Sequence, residues 1–446
     1  MELDDRLFRR EAGRMVSALT RIFGVHNLAL AEDVVQDAFC RALEVWGMRG
    51  APDNPSAWLM TTARNRALDV LRRQRTAKTF APELGRLLDS EWTLAPLVDE
   101  ILAADAIQDS MLRMMFSCCH PRLSEPAQVA LILNILCGFS VDEIASAFTS
   151  GHAAVEKRIM RGKKVLAESK RLFDTTVPAD FSGRLPGVHR ALYLLFNEGY
   201  HGASPAASVR LELCNEAIRL IAALLQHPLA MTPTTYALAA LMTLTAARLP
   251  ARTDSCGNLI ALFEQDRTLW DRTRLDDGMR LLELSASGPE LTAYHIEGAI
   301  ASVHAMARRA DDTDWSRIIS LYDSLMRING SPIVALNRAI AIAQRDGPER
   351  GLAAIEAIAN PDRLAGYPFY PAALGELELR HGNPERARAH FEEALARARN
   401  PMERRFFEQR LAACEVPNAR ATVAQFWESG LDASQTDDEE EAAPSA

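Results

Sequence analysis

The sequence predicts an all-α protein, and three observations carry that prediction. Ala, Leu and Arg dominate a chain that is only 7% aromatic, a mix that favours helices over sheets. Apolar residues recur at three- and four-residue intervals, and Gly and Pro punctuate the intervals between such segments. The 446 residues, at roughly 100–200 per domain, imply several domains rather than one. With 48% hydrophobic and 24% charged residues the chain has ordinary globular composition, which excludes a mostly disordered protein. The net charge of −9 excludes a whole-molecule basic field, so a nucleic-acid site must be a local patch. No apolar run reaches membrane-spanning length, and the acidic start Met1-Glu2-Leu3-Asp4-Asp5 lacks an export-signal pattern. The seven cysteines are scattered apart from Cys118-Cys119, so a reduced, cytoplasmic protein is expected.

Five segments follow from the order of patterns. Residues 1–76 read as a first helical module. Leu7, Val16, Leu19, Ile22 and Phe23 keep helical spacing until Gly24 stops the segment. A second helix over about 31–46 buries Val34, Val35, Ala38, Phe39, Ala42, Leu43 and Trp46, and its other face carries Asp33, Gln36, Asp37 and Arg41. Residues 50–56 hold two prolines and a glycine and must form a loop, after which Ser56 is expected to cap a helix running from 57 to about 75. Trp58, Leu59, Thr62, Leu68 and Leu71 supply its buried stripe. Over 61–78, Arg64, Arg66, Arg72, Arg73, Arg75 and Lys78 face Asp69 alone. Residues 77–108 form a connector, and over 79–109 the sign inverts: Glu83, Asp89, Glu91, Asp99, Glu100, Asp105 and Asp109 oppose only Arg86.

Residues 109–172 form a second module. The apolar run 129–136 is a buried helix, and Ser140-Val141-Asp142-Glu143 is a capping box opening the next one. Ile144, a small Ala145, Phe148 and Val155 lie at the spacing by which a helix-turn-helix packs its two helices across the break Thr149-Ser150-Gly151. The second of those helices is basic, with Lys157, Arg158, Arg161, Lys163, Lys164, Lys170 and Arg171 against Glu156 and Glu168. A solvated face is the plainer reading of either basic run alone, and an αα-hairpin without a DNA role is the plainer reading of the helix pair.

Residues 173–430 read as helix and turn throughout. Pro348-Glu349-Arg350 and Pro384-Glu385-Arg386 lie 36 positions apart, each with a glycine upstream and a helix downstream (352–358 and 387–395). Leu321-Tyr322 lies about one period earlier, followed by a helix around 336–343. The small/large pattern is that of tetratricopeptide helix pairs, which stack into a solenoid with a concave face. Residues 431–446, with Asp437-Asp438-Glu439-Glu440-Glu441, read as an acidic disordered tail.

Three sets of residues resemble a known family. Residues 31–39 with Arg41-Ala42-Leu43, and Asn54-Pro55-Ser56-Ala57-Trp58-Leu59 through Asp69, resemble region 2 of bacterial RNA polymerase sigma factors. Residues 124–166 look like region 4, the helix-turn-helix for the −35 element. Tyr193-Leu194-Leu195-Phe196-Asn197-Glu198-Gly199-Tyr200, Asp266 to Asp271 and Asp314-Trp315 resemble the extracytoplasmic-function (ECF) subgroup with a C-terminal tetratricopeptide-like extension. The resemblance implies a partner, core RNA polymerase (β′ and β subunits), with Asp33, Gln36, Asp37 and Arg41 meeting a basic coiled coil of β′. It implies promoter DNA as a second partner. Loop 49–56 would capture a flipped −10 base, with Asp53 and Asn54 reading its edge; Asn65 offers donor and acceptor, and Arg64, Arg66, Arg72 and Arg73 hold phosphates. His152, Glu156, Lys157, Arg158 and Arg161 would face the −35 element, with Lys163 and Lys164 on its backbone. The acidic connector would thread the template-strand and RNA-exit path. The extension would dock a protein partner or the chain itself.

No cofactor or metal is expected: Cys118-Cys119-His120 places two adjacent thiols that cannot easily share one tetrahedral ion. The run from Tyr193 to Tyr200, with Arg190 and His201, lacks paired carboxylates, an activated nucleophile or a phosphate loop, so a buried polar network is expected rather than an enzyme site. Two other classes compete. A helix-turn-helix regulator with a repeat sensor has no use for the region 2 residues, and a purely structural scaffold leaves both basic helices unexplained.

Overall fold

A computed structural model describes residues 5–73, 104–147, 151–169, 172–174, 178–201, 210–254, 260, 262, 265–399 and 401–415. These form eighteen α-helices joined by turns and short 3-10 segments, in agreement with the all-α expectation. The chain divides into two compact units, one of Met1–Leu195 with Gln226–Ala230, the other of Phe196–Leu225 with Met231–Ala446.

The first unit is built around α1 (Asp5–Phe23). Met15, Ala18, Leu19, Ile22 and Phe23 are fully buried, but so are Glu11, Ser17 and Thr20, so the helix is enclosed on nearly every side rather than along one stripe. The two hydroxyls donate to the carbonyls of Gly13 and Val16, each at 2.7 Å, which removes the cost of burying them. Gly24 adopts φ 84°, where a side chain would be strained, and ends the helix as its sequence position implies. Next come α2 (Leu28–Arg49) and α3 (Pro55–Arg73), both packed on α1.

The second module enters the same unit. It consists of α4 (Ala104–Cys118), α5 (Glu125–Leu131) running into a π-helical turn Ile132–Leu136, α6 (Val141–Ala147) and α7 (His152–Glu168). α1 packs against α4 and against the π-helical turn, so the two modules read as separate in the sequence share one core. The capping box forms as expected: the Ser140 amide donates to Glu143 Oε2 at 2.8 Å and the Glu143 amide to Ser140 Oγ at 3.2 Å. Ile144, Ala145, Val155 and Ile159 are buried between α6 and α7. Gly162 lets α7 approach α5, where an added Cβ would fall 2.6 Å from a Leu131 methyl. Phe148, Thr149 and Ser150 lie outside the described residues, as do most of the acidic connector and the C-terminal tail.

The first unit does not end at residue 172. α8 (Pro178–His201) contributes its N-terminal part to it, because Phe181 packs 4.3 Å from Phe116 on α4 and Arg184 donates to the Phe116 carbonyl at 3.1 Å. Arg190 pairs with Glu125 at 2.7 Å. His189 is buried on the same helix, and burial pushes its pKa down from 6.5 to about 4. The unfolded chain therefore binds a proton below pH 6.5 that the folded chain refuses until about pH 4. Stability attributable to this group is intact above pH 6.5 and falls as pH drops toward 4, by about 3 kcal/mol in all. Urea midpoints measured from pH 7 to pH 4 should show this fall, and His189→Gln should flatten it.

In the second unit, helices adjacent in sequence pack on one another. They are the end of α8, α9 (Leu211–Leu224), α10 (Pro233–Ala246), α11 (Arg272–Ser285), α12 (Ala293–Met306), α13 (Trp315–Ile328), α14 (Pro332–Asp346), α15 (Pro348–Glu356), α16 (Phe369–His381), α17 (Pro384–Ala396) and α18 (Pro401–Ala413). Asp271 and Asp314 cap α11 and α13, their carboxylates accepting from the amides of Arg274 and Arg317. Tyr200 is buried beneath the Arg252 guanidinium, whose carbon lies 4.1 Å from the ring centroid. Each Pro-Glu-Arg triplet opens a helix rather than preceding one: α15 starts at Pro348 and ends at Glu356, short of the expected 358, and α17 starts at Pro384. Among the described residues no helix is long and apolar enough to cross a membrane, and no group of His, Cys, Asp or Glu is arranged to hold a metal ion.

Candidate polymerase and nucleic-acid interface

The residues that the sequence singles out occupy three faces of the first unit. On α2, Asp33, Gln36, Asp37 and Arg41 are all exposed on the side opposite the buried Val34, Val35, Ala38, Phe39 and Ala42. They are not equivalent. Asp37 accepts from Arg66 Nε on α3 at 2.8 Å, and Arg41 pairs with Glu44 at 3.1 Å, both in solvent. Among the described residues Asp33 forms no such ion pair, and it is the more available acid for an incoming cation. Leu43, expected in the core, is instead 60% exposed, and Trp46 is only half-buried. Trp46 meets Trp58 of α3 edge-on, with centroids 5.3 Å apart.

The loop before α3 also differs from expectation. The helix begins at Pro55, and the cap is Asn54, whose Oδ1 accepts from the Ala57 amide at 3.0 Å. Ser56 Oγ instead donates to the buried Glu11 on α1 at 3.1 Å. Asn54 thus spends its acceptor on the helix end and keeps its amide donors, while Asp53 beside it is exposed. Asn65 is exposed and accepts from Arg64 Nη1 at 3.1 Å. Arg66 is turned to Asp37, so it reaches DNA only by leaving that carboxylate. The side chains of Arg72 and Arg73 lie outside the described residues.

On α7, His152, Glu156, Lys157, Arg161 and Lys164 are exposed along one side, and Arg158 is half-buried. His152 Nε2 lies 3.4 Å from Asp142 at the start of α6, which ties the two helices when the imidazole is protonated. Lys163 lies at the edge of that side, on the stripe of His152 and Glu156 next to the buried face, and is already engaged. Its Nζ bonds Glu32 on α2 at 2.6 Å, with both side chains about one-third exposed, so it serves the junction between modules rather than a DNA-facing row. Two residues were not legible as interface residues. Met160 is 63% exposed amid the cations of α7, one step past the buried Ile159; Glu32 precedes Asp33 and looks like one more surface acid until its partner is seen.

Sequence comparisons bear on these faces. Residues 7–77 match the family described as Sigma-70 region 2, which spans α1 to α3. Over 162 residues the chain is 32% identical to RNA polymerase sigma factor CarQ of Myxococcus xanthus, covering 86% of that protein. The chain belongs to the sigma-70 family of RNA polymerase sigma factors. Sigma factors are non-catalytic initiation factors, and this one is also 26% identical over 144 residues to ECF RNA polymerase sigma factor SigX of Bacillus subtilis (strain 168), covering 71% of it. Those matches span about a third of this sigma factor, 36% for CarQ and 32% for SigX. A relative matched along nearly its whole length is uncharacterized protein R00370 of Rhizobium meliloti (strain 1021), 38% identical over 412 residues that make up 92% of this chain and 95% of that one. Residues 184–286 match a family of unknown function, DUF6596, which covers the start of the extension. No solved structure matches this sigma factor.

Proposed function

We propose that this sigma factor binds core RNA polymerase through the acidic face of α2 and directs initiation at promoters carrying −10 and −35 elements. The observation that carries the reading is the coexistence, in one chain, of an exposed acidic face on a region 2 helix and an exposed cationic face on a helix-turn-helix. Asp33, Gln36, Asp37 and Arg41 take the polymerase. Asp53, Asn54 and Asn65 present hydrogen-bonding groups to unpaired −10 bases, with Arg64, Arg66, Arg72 and Arg73 on phosphates. His152, Glu156, Lys157, Arg158 and Arg161 meet the −35 duplex, and Lys164 its backbone. The acidic connector follows the template and RNA-exit path in the polymerase. The extension is a tetratricopeptide-like array that modulates activity through the chain itself or a bound protein.

In vitro transcription with core polymerase across a promoter library tests the whole reading: the full chain should select a defined pair of elements. Arg161→Ala should weaken −35 binding by about 1–3 kcal/mol if the side chain reads a base, and by less if it holds a phosphate, without changing core binding. An unchanged footprint and transcript level would remove α7 as the recognition helix. A chain cut after residue 172 is a poor test of the extension, because the cut strips Phe181 and Arg184 from Phe116. Deleting 431–446 leaves the described helices intact and isolates the contribution of the acidic tail.

A further inference from the structure

Helices of the second unit enclose a pocket that the polymerase and promoter faces do not use. Its walls come from α10 and the turn after it, which lie inside the DUF6596 match, and from α12, α13 and α14 beyond that match. It has about 430 Å³ of space, its open mouth included. That is the low end of the roughly 300–1,000 Å³ that holds a small ligand, so the occupant is one small molecule rather than a peptide or a domain.

The lining combines buried charges with aliphatic side chains. Arg248, Glu297, His304 and Asn337 all face the pocket, and all are buried. Leu241, Ile300 and Leu325, also buried, make up its apolar part. Arg248 Nε, Glu297 Oε2 and His304 Nδ1 are buried atoms that make no hydrogen bond, although each residue is held by other contacts. The Arg248 guanidinium carbon lies 5.6 Å from the Tyr200 ring centroid, and the His304 ring meets Trp315 edge-on with centroids 5.5 Å apart. Charges are costly to bury unless other groups compensate them, and leucine or isoleucine would fill such a space at no such cost. A bound ligand with charges of its own supplies the compensation.

The signs of the charges select its class. A molecule carrying only a carboxylate suits Arg248 but meets Glu297; one carrying only an ammonium suits Glu297 but meets Arg248. A zwitterion suits both. Asn337 offers a donor and an acceptor for the remaining positions on its charged groups, and Leu241, Ile300 and Leu325 leave room for an apolar side chain. We propose that the extension binds a free α-amino acid with an apolar side chain in this pocket, its carboxylate at Arg248 and its ammonium at Glu297. The site gives the extension a small-molecule input, and it stands or falls independently of the sigma-factor reading, because neither polymerase nor DNA enters its test.

Isothermal titration calorimetry of the full chain with L-leucine, L-methionine and L-phenylalanine tests this. For each, the analogue without the amino group and the analogue without the carboxylate are titrated beside it; for leucine these are 4-methylpentanoate and 3-methylbutylamine. At least one of the amino acids should bind, and both of its analogues should bind about tenfold more weakly or worse, because each loses a hydrogen-bonded charge. Glu297→Gln should erase the preference over the analogue without the amino group. Arg248→Met should erase the preference over the analogue without the carboxylate. An Arg248 and Glu297 that only stabilise the fold would leave both preferences intact in the variants, which would overturn the proposal. So would an absence of binding by all three amino acids at millimolar concentration, or an analogue lacking one charge that binds as tightly as its parent. If either variant fails to fold, the analogue series on the wild-type chain decides alone.

Discussion

Replacing Asp33 and Asp37 with arginine is expected to abolish capture of core RNA polymerase while leaving helix content unchanged. The two acids stand one turn apart on an exposed face, and the buried stripe of α2 lies on the opposite side. Reversing both charges turns attraction for a basic partner into repulsion, and like charges at an interface cost several kcal/mol. The two positions should contribute unequally. Asp37 already holds Arg66 at 2.8 Å, so its replacement also places two arginines side by side and frees Arg66. Asp33→Arg alone should therefore lose most of the binding, and Asp37→Arg should in addition alter −10 binding through Arg66. Pull-down with core polymerase and circular dichroism check the pair of claims. Normal co-purification of the double variant would remove the α2 face as the docking surface.

Arg410→Ala is expected to destabilise the second unit by about 3–5 kcal/mol, the largest effect of a single substitution outside the proposed interfaces. Glu376 on α16 is fully buried, and Arg410 on α18 is nearly so; the guanidinium donates to one carboxylate oxygen through Nη2 at 2.7 Å and Nε at 3.1 Å. Removing the arginine takes two charge-assisted hydrogen bonds from a buried carboxylate in the core that also holds Phe391 and Phe407. The loss comes from a buried charge left less compensated, not from the worth of the pair itself. Glu376→Leu combined with Arg410→Met should therefore recover much of the stability. Thermal unfolding of the single and double variants separates these: equal losses in both would show that the pair stabilises by its own attraction.

The sequence by itself determined the helical class, most helix positions and the likeness to sigma-70 region 2. Helical spacing located α2, α3 and α7, the Ser140–Glu143 capping box located α6, and the Pro-Glu-Arg triplets located α15 and α17, because each depends on neighbours within a few residues. The exposed acids of α2 and cations of α7 were legible for the same reason: one face of a helix follows from its period alone. Competition between nearby side chains was harder to read. Asn54 rather than Ser56 caps α3, because the helix starts at Pro55, and the serine hydroxyl donates to Glu11, distant in sequence. Tertiary structure alone decided how far each module reaches. Residue 172 looks like a boundary from charge, yet Phe181 and Arg184 carry the first unit into α8. Lys163 looks like a DNA contact and Asp37 a free acid until α2 meets α7 and α3. Composition gives each of these side chains its charge, but only the packing of distant segments brings it a partner, and a charge with a partner acts differently from one in water.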